Sequence, residues 1–233
     1  FNKDFAILQA ELFSEDREQK LELRFLPGGR KQIFINGVRQ KSRAALETKL
    51  LAVLFSPDDL YLIKEGATAR RHLMDEAICQ LRPRYAAILA EYNRLCSGKS
   101  RILKDFHEKP ALLELLPAYE RRMAETGAHL IYYRSAWVQK LCEAAGRIHR
   151  DFSGGKEDLF LSYKTISNLD NPKGLRPAEI YPYLVEHQER HREAEKAAGS
   201  LLSGPHKDDI LVFLDGRAAK SFASQGQTRT AAL

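Results

Sequence analysis

Between Ala67 and Phe152 apolar side chains recur every three to four positions and glycine is sparse. An α-helix brings residues of that spacing onto one face, so this stretch is constrained to amphipathic helices. Leu73, Ala77, Ile78 and Leu81 form one stripe, and Tyr85, Ile88, Leu89, Tyr92 and Leu95 a second. Trp137, Leu141, Ala145, Ile148 and Phe152 form a third, with steps of four, four, three and four. Helices of this length bury such stripes against one another, which predicts an antiparallel helical arm.

The flanks have the other period. Ile7 to Phe13 and Leu21, Leu23 and Phe25 alternate as half-buried strands, Pro27-Gly28-Gly29 marks a turn, and Ile33 to Ile35 a third strand before the hairpin turn Asn36-Gly37. A short helix over Ala44 to Leu50 and a buried strand over Leu51 to Phe55 are expected next. Ser153-Gly154-Gly155 closes the helical run, and Leu159, Leu161 and Tyr163 alternate as a strand. Asn168 to Arg176 reads as a loop, Glu179 to Ala198 as a charged helix, Ile210 to Leu214 as the last strand, and Asp215-Gly216 as a turn before a helix starting near Ser224. The expected fold class is mixed α/β: β-rich lobe in residues 1–65, helical arm in 66–200, and a second lobe in 201–233.

Composition narrows the class. With 44% apolar and 29% charged residues the chain has the balance of a soluble globular protein, and no window approaches ~18 apolar residues, which argues against a membrane protein. Cys79, Cys96 and Cys142 form no Cys-x-x-Cys pair, so neither a disulfide framework nor a cysteine zinc site is implied, and small core thiols in a reducing cytoplasm are expected. The opening Phe1-Asn2-Lys3-Asp4 has neither an initiator Met nor a secretory h-region, which suggests a piece of a longer chain. The 37 Lys and Arg against 31 Asp and Glu, +6 in all, permit a face that follows phosphates, but no motif for reading base sequence is present.

Three short stretches could carry chemistry. Ser224-Gln225-Gly226-Gln227 follows a strand and a turn and opens a helix: serine caps, glycine lets an anion approach, and the helix start offers free amides and a positive dipole end. A plain capped helix has the same letters. Gly204-Pro205-His206-Lys207-Asp208-Asp209 is a rigid turn with His, Lys and two acids on its exit, readable also as a solvated loop. Phe55-Ser56-Pro57-Asp58-Asp59-Leu60 is followed by Arg70-Arg71-His72-Leu73-Met74-Asp75. Two arginines in the first turns of a helix oppose its dipole unless an acid answers them, and Asp75 stands four residues after Arg71.

In order and separation these stretches resemble the RecF family of DNA replication and repair proteins, which belong with the SMC-like ABC ATPases. The resemblance implies β-rich portions of an ABC-type ATPase head with an inserted helical arm. Ser224, Gln225, Gly226 and Gln227 would be the signature motif, contacting in trans the γ-phosphate of ATP bound by a second subunit. Asp58 and Asp59 fall where related ATPases place the Q-loop, and with Arg70 and Arg71 they would couple lobe to arm. The implied cofactors are ATP and Mg2+. The implied setting is cytoplasmic and nucleoid-associated, in DNA replication, recombinational repair and the SOS response. The implied partners are DNA at single-strand/double-strand junctions, a second copy joined through ATP, and mediator proteins that help load recombinase at single-strand gaps.

The chain also departs from an ATPase. Gly98-Lys99-Ser100 lacks the earlier P-loop glycine, since position 93 is Asn93, and lies in a helical pattern. No apolar strand ending in two acids follows Ser224 to Leu233. Both Walker motifs are thus missing, so no catalytic residue is expected here and the chain alone should not hydrolyse ATP. His187, His191 and Glu195 share a helix face, but no further zinc ligand is evident. The arm's basic residues, Lys99 and Arg134 among them, read as a solvated helix surface. An alternative outside the ATPase class is a stand-alone interaction or DNA-binding scaffold with no nucleotide function.

Overall fold

A computed structural model describes residues 5–14, 17–41, 51, 53–54, 61–64 and 66–232. They form two compact units, residues 1–52 and residues 53–233. The first is a four-stranded antiparallel sheet in the order β1-β2-β3-β4: β1 Ala6–Ser14, β2 Arg17–Phe25, β3 Lys31–Ile35 and β4 Val38–Gln40. Its register aligns Leu8 with Leu23 and Leu23 with Ile33, and Ala10 with Leu21 and Leu21 with Ile35. These cross-strand apolar rows lie on one face. Asn36 and Gly37 both take positive φ, 49° and 79°, which turns β3 into β4 as the Asn-Gly pair foretells.

The second unit is mostly helical. Helices α1 Ala67–Leu81, α2 Pro83–Asp105 and α3 Leu116–Phe152 are followed by strand β5 Leu159–Lys164, helix α4 Pro177–Ala198, strands β6 Asp209–Leu214 and β7 Arg217–Ala218, and helices α5 Ala219–Phe222 and α6 Gln225–Ala232. The 37-residue α3 is the spine: α2, α4 and β5 all pack on it. Gly154 and Gly155, with φ of 61° and 75°, release the chain from its end. At Gly127 an added Cβ would lie 3.2 Å from Pro205 Cγ and 3.3 Å from Leu184 Cδ1, so the bare backbone lets α4 and the 204–209 turn pack on α3 without displacing either side chain. β5, β6 and β7 form an antiparallel sheet, with Leu159 opposite Leu214 and Tyr163 opposite Ile210. The main core gathers Met74, Ile78, Tyr85, Tyr92, Leu130, Ile131, Val138, Tyr163, Ile180 and Leu184.

Mixed α/β architecture is as expected, with corrections in detail. The α1 stripe is shifted by one position: Met74 and Ile78 are buried with Arg70, while Leu73 and Leu81 are exposed. On α3 the buried face runs through Ile131, Arg134 and Val138, leaving Ile148 and Phe152 exposed. Stripes drawn through apolar letters alone were off-centre on both helices, although Ile78 and Trp137 do pack on the core, because each buried face contains an arginine. The expected strand over Leu51 to Phe55 is absent where it can be seen: Leu51, Val53 and Leu54 are in no regular element and are exposed. A strand needs a hydrogen-bonded neighbour, and neither sheet offers these residues one. The helix expected over Ala44 to Leu50 lies outside the described residues. Ile210 to Leu214 is not the last strand, since β7 and the one-turn α5 follow it; Lys64 Nζ donates to the carbonyls that end α5, 2.8 Å from that of Ala223.

Candidate nucleotide-contacting site and its supports

Helix α6 begins with a closed capping box. Gln227 N–H donates to Ser224 Oγ at 3.2 Å, and Ser224 N–H donates to Gln227 Oε1 at 2.9 Å. Ser224, Gln225 and Gly226 are exposed, and a Cβ on Gly226 would meet nothing within 4 Å. The first amides of α6 have no acceptor within the helix and point to the dipole's positive end. Such a start can receive an anion, with backbone access at Gly226 and a hydroxyl at Ser224. Its other side is tied down: Gln227 Nε2 donates to Glu157 Oε1 at 2.9 Å, and Glu157 Oε2 accepts from His149 Nε2 at 3.0 Å.

Arg70 and Arg71, also singled out from sequence, point at the turn before β6. Arg70 grips Asp209 with two nitrogens, at 2.7 and 2.9 Å, and donates to the Leu62 carbonyl at 2.6 Å. Arg71 donates to the Asp208 carbonyl at 2.6 Å. The local Arg71–Asp75 pair expected from their spacing does not form. Asp75 turns instead to Arg134, at 3.0 and 2.9 Å, because a buried two-point contact outweighs an exposed pair along a helix. Asp58 and Asp59 lie outside the described residues.

Arg134 is the centre of this frame. Besides Asp75 it donates to Asp208 Oδ2 at 2.7 Å, to the Pro205 carbonyl at 2.6 Å and to Tyr85 Oη at 3.0 Å. Tyr163 donates its hydroxyl to Asp208, and Tyr85 donates to Asp75. Burial works against the charge on Arg134, but Asp208, Tyr163, Tyr85 and Asp75 together hold it well above the ordinary arginine range. Burial likewise raises Asp208, against the pull of Arg134. The expected surface arginine is therefore an interior one: Arg134 and Arg70 are answered by the carboxylates of Asp75, Asp208 and Asp209, and Arg71 by the Asp208 backbone carbonyl, where α1, the middle of α3 and the start of β6 meet.

Lys99 is corrected in the same way. It is 1% exposed on α2 and ion-pairs with Glu120 at 3.2 Å and Glu195 at 2.7 Å, while Arg192 answers Glu120 at 2.7 Å. Gly98-Lys99-Ser100 lies in a helix, as expected for a false P-loop, and Lys99 has a structural partner set in place of a phosphate. Glu195, placed on one face with His187 and His191, is committed to that lysine. Periodicity carried the missed signal: Tyr85, Tyr92 and Lys99 recur at seven-residue steps on the buried face of α2. Glu157 and His149 carried none, since each depends on a contact across sequence.

His206 packs against Tyr92, whose hydroxyl lies 3.2 Å from Nδ1. Burial, with Lys207, Arg71, Lys99 and Arg134 nearby, pulls its imidazole down to about 4. Burial and His191 pull His187 down to about 4 as well. Both rings stay neutral in the fold where the unfolded chain already protonates near 6.5. Stability present above about pH 6.5 is therefore lost as the pH falls toward 4, with a loss of order 1–2 kcal/mol per ring at pH 5. Urea unfolding at pH 7 and 5 checks this: His206→Asn should lose clearly less stability on acidification than the parent chain, and an equal loss would contradict it.

No protein-family model matches the chain. Among solved structures it is similar along its whole length to the recombination mediator protein RecF-ATPrS, with a TM-score of 0.90 and 27% identity over 62% of that chain. RecF-ATP, from the same RecFOR pathway, gives 0.89 and 28% over 61%. The class is the mixed α/β fold of the RecF proteins. Curated relatives agree: RecF of Acetivibrio thermocellus is 34% identical over 98% of this chain and 61% of its own length. RecF of Symbiobacterium thermophilum is 38% identical over 92% of this chain and 56% of its own. The chain belongs to the RecF family of DNA replication and repair proteins. It spans about three fifths of the length of those relatives. Among the described residues no helix is long and apolar enough to cross a membrane.

Proposed function

We propose that this chain supplies the arm and the signature helix of a nucleotide-gated DNA repair protein. The observation that carries the reading is the exposed start of α6: a solvent-facing serine cap, its oxygen accepting from Gln227 N–H, and an unobstructed Gly226, on a helix whose opposite side is fastened. Ser224, Gln225, Gly226 and Gln227 contact the γ-phosphate of ATP, with its Mg2+, held by a second copy, and the two copies close around it. Arg70 and Arg71, with Asp58 and Asp59, transmit that closure between the strand-bearing lobe and the arm. The closed dimer binds DNA at single-strand/double-strand junctions through phosphates, without reading sequence, and supports recombinase loading with mediator proteins in the cytoplasm. The similarity to RecF-ATPrS and RecF-ATP supports the nucleotide part of this reading.

Ser224→Arg tests it in the full-length gene product. A long side chain overfills the helix start, and a single charge-assisted hydrogen bond is worth about 1.5–3 kcal/mol, so ATP-dependent self-association should weaken about tenfold or more. Sedimentation velocity with and without ATP reads this directly. Unchanged association would contradict the nucleotide reading and favour the second one, a scaffold in which Ser224 only caps a helix. The closed Ser224–Gln227 box speaks for that second reading.

A further inference from the structure

The capping box at α6 is satisfied by an amide and not by the carboxylate that usually stands at its third position. Gln227 uses both ends of its side chain: Oε1 accepts Ser224 N–H at 2.9 Å, and Nε2 donates to Glu157 Oε1 at 2.9 Å. A glutamate at position 227 could close the box equally well but would set a second carboxylate against Glu157. Glu157 is itself held from two sides. His149, 2% exposed near the foot of α3, meets Oε2 at 3.0 Å, and the Glu157 N–H donates to Ser153 Oγ at 3.3 Å. Because a carboxylate only accepts, His149 Nε2 carries the proton in this pair. A continuous hydrogen-bonded line thus runs His149, Glu157, Gln227, Ser224, from the end of the 37-residue helix to the exposed cap.

We propose that Glu157 is a positioning residue for the α6 start, holding the Gln227 amide so that Ser224 and the amides after it face outward, and making the foot of α3 the part of the arm that sets their aim. This rests on the reading of Ser224 to Gln227 as a nucleotide-contacting motif. It touches no nucleotide itself. It requires that position 227 be an amide because position 157 is an acid, so the two residues are exchangeable as a pair and not singly.

Two readouts test it. Hydrogen exchange at the Ser224 amide reports the line itself, and ATP-dependent self-association of the full-length gene product reports its use. Glu157→Ala and Gln227→Glu should each speed exchange at Ser224 about tenfold and weaken association several-fold, without a comparable loss of global stability. The exchanged pair, Glu157→Gln with Gln227→Glu, restores an amide–carboxylate contact and should recover most of the Ser224 protection. Exchange at Ser224 unchanged in Glu157→Ala would overturn the proposal whatever the association data say. Faster exchange with unchanged association in Glu157→Ala, while Ser224→Arg abolishes association, would also overturn it, because the cap would then work without Glu157. If Ser224→Arg itself leaves association intact, the signature reading fails, and the positioning role falls with it even where the exchange data show the hydrogen-bonded line.

Discussion

Replacing Arg134 with methionine is expected to lower the unfolding free energy by about 3–5 kcal/mol, the range seen when one partner of a buried ion pair is removed. Arg134 is 2% exposed and Asp208 1%. Methionine fills much of the same volume, so the loss reports charge and hydrogen bonding more than a cavity. Without the guanidinium, Asp208 loses its cationic partner and keeps the Tyr163 hydroxyl, Asp75 keeps Tyr85, and the Pro205 carbonyl keeps just the Asp208 N–H at 3.3 Å among the described residues. Lysine should not rescue, because one ammonium cannot span Asp75 and Asp208 while also reaching Pro205. Adding Asp208→Asn to Arg134→Met removes the stranded charge and should recover part of the loss. Urea denaturation measures all three variants, and a single-variant loss below about 1 kcal/mol would show that the frame is not energetically central.

A second large effect is expected at Lys99. Lys99→Met leaves Glu120 and Glu195 facing each other in the interior, with Arg192 reaching only Glu120. The expected loss is again about 3–5 kcal/mol near neutral pH. Its pH dependence separates this cause from lost packing. In the variant an unanswered buried glutamate has its folded pKa raised above the unfolded value, so the penalty is full above that raised pKa and shrinks as acid protonates the group. The gap between variant and parent should therefore narrow from pH 8 to pH 5, and Lys99→Met with Glu195→Gln should show little pH dependence of its own. A gap that stays constant with pH would assign the loss to packing instead.

These interior charges also mark the limit of what could be read from sequence. The helices were legible because residues such as Tyr85, Tyr92, Trp137 and Leu141 repeat at helical spacing, and the β3–β4 hairpin because Asn36-Gly37 can take positive φ; Asp215-Gly216 was legible as a turn, but the short β7 it leads into was not. The α6 cap was legible because serine is a preferred helix cap, and its oxygen does accept Gln227 N–H; the return bond from Ser224 N–H to the Gln227 side chain emerged only in the structure. Arg70 and Arg71 announced themselves by opposing a helix dipole, although the partners proved to be remote: the Asp209 carboxylate for Arg70 and the Asp208 backbone carbonyl for Arg71. Arg134 and Lys99 were not legible, since a charged letter inside an apolar stripe looks like surface until a partner from another element is known. Glu157 lies further still from local reading: it connects the end of one helix to the start of another 70 positions on.

The central claim is that the α6 start meets nucleotide held by another copy. Photo-cross-linking from an ATP analogue carrying the reactive group on its γ-phosphate tests it most directly, using the full-length gene product. The account predicts label on the peptide containing Ser224 to Gln227, appearing only at protein concentrations where ATP drives self-association and lost in Ser224→Arg. Efficient labelling elsewhere, with that peptide unlabelled under dimer-forming conditions, would contradict it.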